Sequence, residues 1–192
     1  MANINGAFGL RPIAKMGQNS NSTGVSGYTQ YEIASGNSSA IYFGTPVIPL
    51  STGYIDVVGA AAGGTVGIVG AFMGCEYVSS TTGKTVWSNY WPGSGADSNH
   101  PVKAFVEDGP DTLFVIATDA SWTSKATARA AVFANANFSS GTSGVTKSGV
   151  SSAALAISTI ATTAALHLRV MGWVDDPSNT DFASSGVGAI VR

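Results

Sequence analysis

Apolar and polar residues alternate in short runs along most of this chain, and Gly, Ser, Asn or Pro break the runs every few positions. That pattern predicts strands and turns rather than helices. In residues 28–33, Tyr31 and Ile33 share one face while Gln30 and Glu32 share the other. Over 102–106, Val102, Ala104 and Val106 oppose Lys103 and Phe105, and near the end Leu166, Leu168 and Val170 oppose His167 and Arg169. Residues 113–117 are apolar in both phases, which places them in the middle of a sheet. Residues 40–43 and 47–50 flank Gly44-Thr45-Pro46, and Pro46 and Pro49 exclude a fully paired central strand there. A turn at 51–53 leads into a strand at 54–58. Residues 60–64 are too small and flexible to be regular, and 66–78 then read as one long or bent strand with Gly67, Gly70 and Gly74 as bulge or close-approach points. The hairpin connection at 81–84 leads to a strand at 85–91, and 151–157 and 166–174 complete the set. Only 119–131 reads as a helix, short and Ala-rich, with Ser121 or Thr123 as its cap. Residues 141–149 read as a loop.

The first 27 residues have apolar anchors but no sustained period. They read as an extended N-terminal arm, with Phe8, Leu10, Arg11, Ile13 and Met16 as the residues that would lie on another surface. The expected architecture is therefore mainly β: a single β-barrel or β-sandwich domain at 28–192, the arm at 1–27, and at most one short helix.

Composition sharpens this picture. Charged residues make up 10% of the 192, against about a quarter in an average globular chain, yet hydrophobic residues reach 44% and the net charge is −2. The chain has the apolar content to fold but little charge to keep copies apart. Much of its surface is thus expected to be covered by neighbours. The nine Lys and Arg are scattered singly, so no stripe follows a phosphate backbone and no nucleic-acid partner is expected. No stretch approaches the length of a membrane span, and residues 1–20 show no secretory pattern, so synthesis in a cytoplasm and no membrane partner are expected. The sequons at Asn21, Asn37 and Asn137 then carry no chemistry.

Candidate chemistry is sparse, and no catalytic residue, cofactor or metal is expected. There are two histidines, His100 in a polar loop and His167 in an alternating strand, and no G-x-S-x-G turn. The lone Cys75 lies in an apolar run, which predicts a buried thiol. Gly83-Lys84-Thr85 resembles the end of a phosphate loop but lacks the upstream glycine and the following helix, so it reads as a turn. Residues 175–181 offer oxygens that could hold calcium, although an Asp-Pro turn is the simpler reading. The richest segment is 87–93, where Trp87, Tyr90 and Trp91 could be core, interface anchors or a sugar platform. Core plus interface is the preferred reading.

Several strings carry a resemblance. They are Met1-Ala2-Asn3-x-Asn5-Gly6-Ala7-Phe8-Gly9-Leu10-Arg11-Pro12, Ile41-Tyr42-x-Gly44-x-Pro46-Val47-Ile48-Pro49-Leu50, Phe72-Met73-Gly74-Cys75-x-Tyr77, the stretch 87–95, and Leu168-Arg169-Val170-Met171-Gly172 followed by Asp175-Asp176-Pro177. Together they resemble small structural proteins of marine tailed phages. The resemblance implies a non-enzymatic virion protein similar in role to cement proteins, which decorate the outer capsid surface and reinforce the shell. It implies the major capsid protein and the chain itself, as a trimer, as partners. Alternatives are a tail or head-fibre protein and a carbohydrate-binding β module.

Overall fold

The computed structural model describes residues 6–16, 27–58 and 67–192. The expectations for 17–26, 60–64 and the start of the strand at 66, and the sequon at Asn21, lie outside the described residues. In chain order the strands are β1 (Arg11–Lys15), β2 (Thr29–Ile33), β3 (Pro46–Pro49), β4 (Ile55–Val57), β5 (Gly70–Val78), β6 (Thr85–Ser88) and β7 (Val102–Glu107). They continue as β8 (Thr112–Ala117), β9 (Asn135–Ser139), β10 (Gly144–Val145), β11 (Val150–Ser151), β12 (Ala154–Ala161), β13 (Leu168–Trp173) and β14 (Gly188–Val191), with one helix, α1 (Lys125–Ala130), between β8 and β9. The chain is mainly β, as its alternation predicts, and neither large sheet closes into a barrel among the described residues.

The strands pack as two compact units that are interleaved in sequence. Unit 1 draws on residues within 1–25, 110–140 and 153–192; unit 2 draws on residues within 26–109 and 141–152. The unit 1 sheet runs β1-β8-β14-β13-β9-β12. The unit 2 sheet runs β2-β7-β5-β3-β4, with β6 added along β5, and the small hairpin β10-β11 belongs to the same unit. All the pairings within the sheets are antiparallel. Residues 11–15, inside the stretch expected to be an extended arm, are a strand of unit 1.

Alternation becomes burial where it was clearest. Val102, Ala104 and Val106 of β7 are fully buried while Lys103 and Phe105 stay partly exposed. They join Ile33, Ile41, Val47, Phe72 and Trp91 in the unit 2 core. In unit 1, Trp122, Ala128, Phe182 and Val187 form a core cluster against which Trp173 packs. Trp173 meets Trp122 and Phe182 edge to face, at 5.2 and 5.8 Å between ring centroids, the arrangement that ring quadrupoles favour.

Several boundaries differ from expectation. The helix starts at Lys125 and is capped by Ser124, whose side chain accepts from the Thr127 amide, rather than by Ser121 or Thr123. The preceding residues are committed elsewhere: the Asp119 carboxylate accepts from the Ile157 amide, and the Trp122 amide donates to the Phe182 carbonyl. The strand expected at 85–91 ends at Ser88, because Ser88 Oγ turns back to the Tyr90 carbonyl at 2.6 Å. Residues 141–149 are not all loop, since Gly144 and Val145 pair with Ser151 and Val150. β3 has a neighbour on each side, but its pairing with β5 is confined to Pro46 and Val47, as its prolines require. No helix among the described residues is long and apolar enough to cross a membrane.

Candidate functional site

Two surfaces bring together side chains that a partner could engage. The first is β1, an edge strand of unit 1. Gly9 donates to the Ala153 carbonyl at 3.1 Å, Leu10 is fully buried, and Arg11, Pro12, Ala14 and Lys15 pair in register with β8. Leu10 is therefore an internal anchor and not a residue laid on another surface, which corrects its reading as an arm contact. The register slips between Pro12 and Ala14, leaving Ile13 as the extra residue of a bulge. Bulges at sheet edges re-aim side chains. Ile13 is 46% exposed and Met16, just beyond the strand, is 39% exposed. Phe8 is partly buried beneath the Arg11 guanidinium, which lies 4.4 Å from the ring centroid. Pro12, Arg11, Lys15 and the bulge are features that discourage addition of a further strand to an edge, so what β1 offers is side chains rather than backbone.

The second surface lies on the outer face of unit 2, and there the aromatic segment splits three ways. Trp91 is fully buried, donates from Nε1 to the Asn37 carbonyl at 3.2 Å and meets Tyr77 edge to face. It is a core residue, which overturns its place among the interface aromatics. Tyr90 is half-buried and stacks on Tyr42 at 5.6 Å between centroids. Trp87 alone stands out, 69% exposed and stacked nearly parallel on Phe105 at 5.5 Å. The separation follows from the turn after Ser88: once the strand ends, alternation no longer says which way Tyr90 and Trp91 face. Phe105 is the partner that the segment 87–93 does not reveal. Its signal was an aromatic ring in the polar phase of β7, beside Lys103.

The remaining candidates are committed to structure. Gly83 turns the β5–β6 hairpin at a positive φ of 65°, its amide bonded to the Ser79 carbonyl, so Gly83-Lys84-Thr85 is a turn. At 175–181, Asp176 caps a short 3-10 turn (Pro177–Asn179), its carboxylate taking bonds from the Ser178 hydroxyl and amide, which hold it below the usual carboxylate range. Asn179 is buried and ties the Val174 and Gly188 carbonyls to the Gly188 amide. Asp176 and Asn179 border a cavity of about 270 Å³ with Lys125, Arg129, Trp173 and Phe182. Among the described residues no group of three or more His, Cys, Asp or Glu is placed to hold a metal ion. His100 Nδ1 lies 3.2 Å from Asp97, whose carboxyl is lowered first by the Asn99 amide and also by His100. His167 Nδ1 lies 2.9 Å from Asn137 Oδ1.

Cys75 is buried against the core, and burial pushes its thiol up to about 12. Since the thiolate is the nucleophile, iodoacetamide at pH 8 should leave Cys75 unmodified in the folded protein and alkylate it fully in urea. Rapid alkylation without denaturant, read by mass spectrometry, would contradict this placement. Compared with known proteins, the chain matches no protein-family model and has no significant match among curated proteins or solved structures.

Proposed function

We propose that the chain is a non-enzymatic virion structural protein that decorates the outer surface of a capsid, binding the major capsid protein and further copies of itself, as a trimer, so as to reinforce the shell. The observation that carries this reading is the β1 edge: a strand locked into its own unit that aims Ile13 and Met16 outward. A surface with so few ionised groups, 9 basic and 11 acidic in 192 residues, favours coverage by neighbours. The resemblance to phage structural proteins supplies the kind of neighbour.

The mechanism is adhesion by repetition. Covering one medium-sized apolar side chain is worth about 1.5–3 kcal/mol when it moves from full exposure, and Ile13 and Met16 start partly covered. Each subunit therefore contributes modestly, and a symmetric oligomer held at several points multiplies those contributions through effective concentration.

The test uses point substitutions, because truncation would remove the buried Leu10 together with the paired strand. The double variant Ile13→Asp, Met16→Asp should keep its far-UV circular dichroism and lose at least about tenfold in affinity for undecorated shells, since each site then presents a charge that must be desolvated. Unchanged co-sedimentation with shells would end the proposal for this edge. Sedimentation velocity of the native chain should give a trimer.

A further inference from the structure

We propose that the outer face of the β6-β5-β7 ribbon in unit 2 is a saccharide-binding platform built on Trp87 and Phe105. Among the described residues Trp87 is the most exposed of the large apolar side chains, yet it is held: its ring lies within 8° of parallel to Phe105. The two residues belong to strands that are not neighbours, with β5 running between them. Gly74, opposite Phe105 in the β5–β7 register, has no side chain to stand between the rings. Its φ of +132° and the Ser88 carbonyl oxygen, 3.0 Å from where a Cβ would sit, make glycine the residue this position requires.

The border of the platform is polar. Glu76 lies opposite Trp87 on one side and Lys103 on the other, with Lys103 Nζ 3.3 Å from Glu76 Oε1. Gln30 and Glu32 of β2 lie opposite Phe105 and Lys103, and both are exposed. A pyranose matches this arrangement in chemistry. Its C–H face is apolar and flat enough to stack on a ring, while its rim of hydroxyls both donates and accepts, suiting carboxylate, ammonium and amide alike. A second protein chain matches it less well. An apolar partner would have to strip water from the Glu76–Lys103 pair. A neutral sugar stacked on Trp87 leaves that pair hydrated.

The inference does not rest on capsid decoration, since Ile13 and Met16 belong to the other unit. The test is an array of bacterial O-antigen and capsular polysaccharides probed with the full chain, followed by titration of the bound polysaccharides under intrinsic fluorescence. Trp87 should report directly, because Trp91 and Trp122 are buried and the signal of partly buried Trp173, in the other unit, is given by the Trp87→Ala variant as background. The expected result is binding to at least one pyranose polysaccharide, a loss of about tenfold or more in Trp87→Ala, a smaller loss in Phe105→Ala, and partial retention in Trp87→Phe. Circular dichroism and sedimentation with shells should be unchanged in all three variants. Binding to no polysaccharide, or binding indifferent to Trp87→Ala, overturns the proposal. So does a Trp87→Ala variant that loses self-association in sedimentation velocity while the native chain binds no polysaccharide, for the face would then be a contact between protein chains.

Discussion

Trp91→Ala should lower the unfolding free energy by about 4 kcal/mol, the range found when a fully buried large aromatic is truncated. The ring has no exposed surface, packs edge to face with Tyr77, and donates its indole N–H to the Asn37 carbonyl. Truncation therefore opens a cavity, removes a ring contact and leaves a carbonyl without that donor, three losses that act at one place. The backbone of Trp91 also exchanges both hydrogen bonds with Ile41, at 2.8 and 2.9 Å, so collapse of the cavity would disturb the chain that carries Ile41 into the core. Urea unfolding followed by far-UV circular dichroism reads the change. Trp87→Ala, four residues away, should cost only about 1 kcal/mol, the worth of one exposed stacking contact. Equal costs at the two positions would show that the division between core and surface drawn through this segment is wrong.

Gly70→Ala should be nearly as damaging, at about 3 kcal/mol, the upper end of the cost of overpacking. A Cβ at this position would fall on the Glu107 carbonyl oxygen and within 2.8 Å of its carbon. Both obstacles are backbone, and Glu107 is fixed opposite Ala71 in the β5–β7 ladder, so no rotamer change relieves the overlap. The start of β5 must separate from the end of β7 or the strand must bend. Gly172→Ala, in β13, is the control: nothing lies within 4 Å of its Cβ position, and it should unfold close to the native midpoint. A native-like midpoint for Gly70→Ala would mean that the two strands do not approach as closely as described.

Much of the strand content was legible where one face of a strand is more buried than the other. β2, β7 and β13 follow the alternation of their sequences, and β8, apolar in both phases, takes an interior place between β1 and β14. What was not legible depends on partners distant in sequence. β1 is five residues long with a proline and a bulge, so it has no period of its own, and it becomes a strand only because β8 pairs with it about a hundred residues later. The two-residue strands β10 and β11 are too short to carry a period at all. The helix began later than expected because Asp119 and Trp122 had better hydrogen-bond partners in β12 and near Phe182 than a helix could offer. At the crossings among the described residues, 109–110, 140–141 and 152–153, the interleaving of the two units left no mark in composition, since the chain passes there through short turns and loops.

The candidate surfaces were partly legible for the same reason. Ile13, Met16 and Trp87 were identifiable as apolar residues in polar company. Leu10 and Trp91 come from the same short strings and went the other way, because burial there is decided by a bulge and a turn that shift the chain by one face. A period-two reading cannot see such a shift in advance.

The position of β14 has a consequence for the timing of synthesis. Residues 188–191 lie between β8 and β13, in the interior of the unit 1 sheet, so nascent chains that have not reached them hold β8 and β13 with a gap where their shared neighbour belongs. A topology of such sequence-distant pairings folds slowly. On the ribosome, unit 1 would stay unfinished until residues 188–191 are made, and translation arrest before them would release a polypeptide with two open ladders, prone to aggregate.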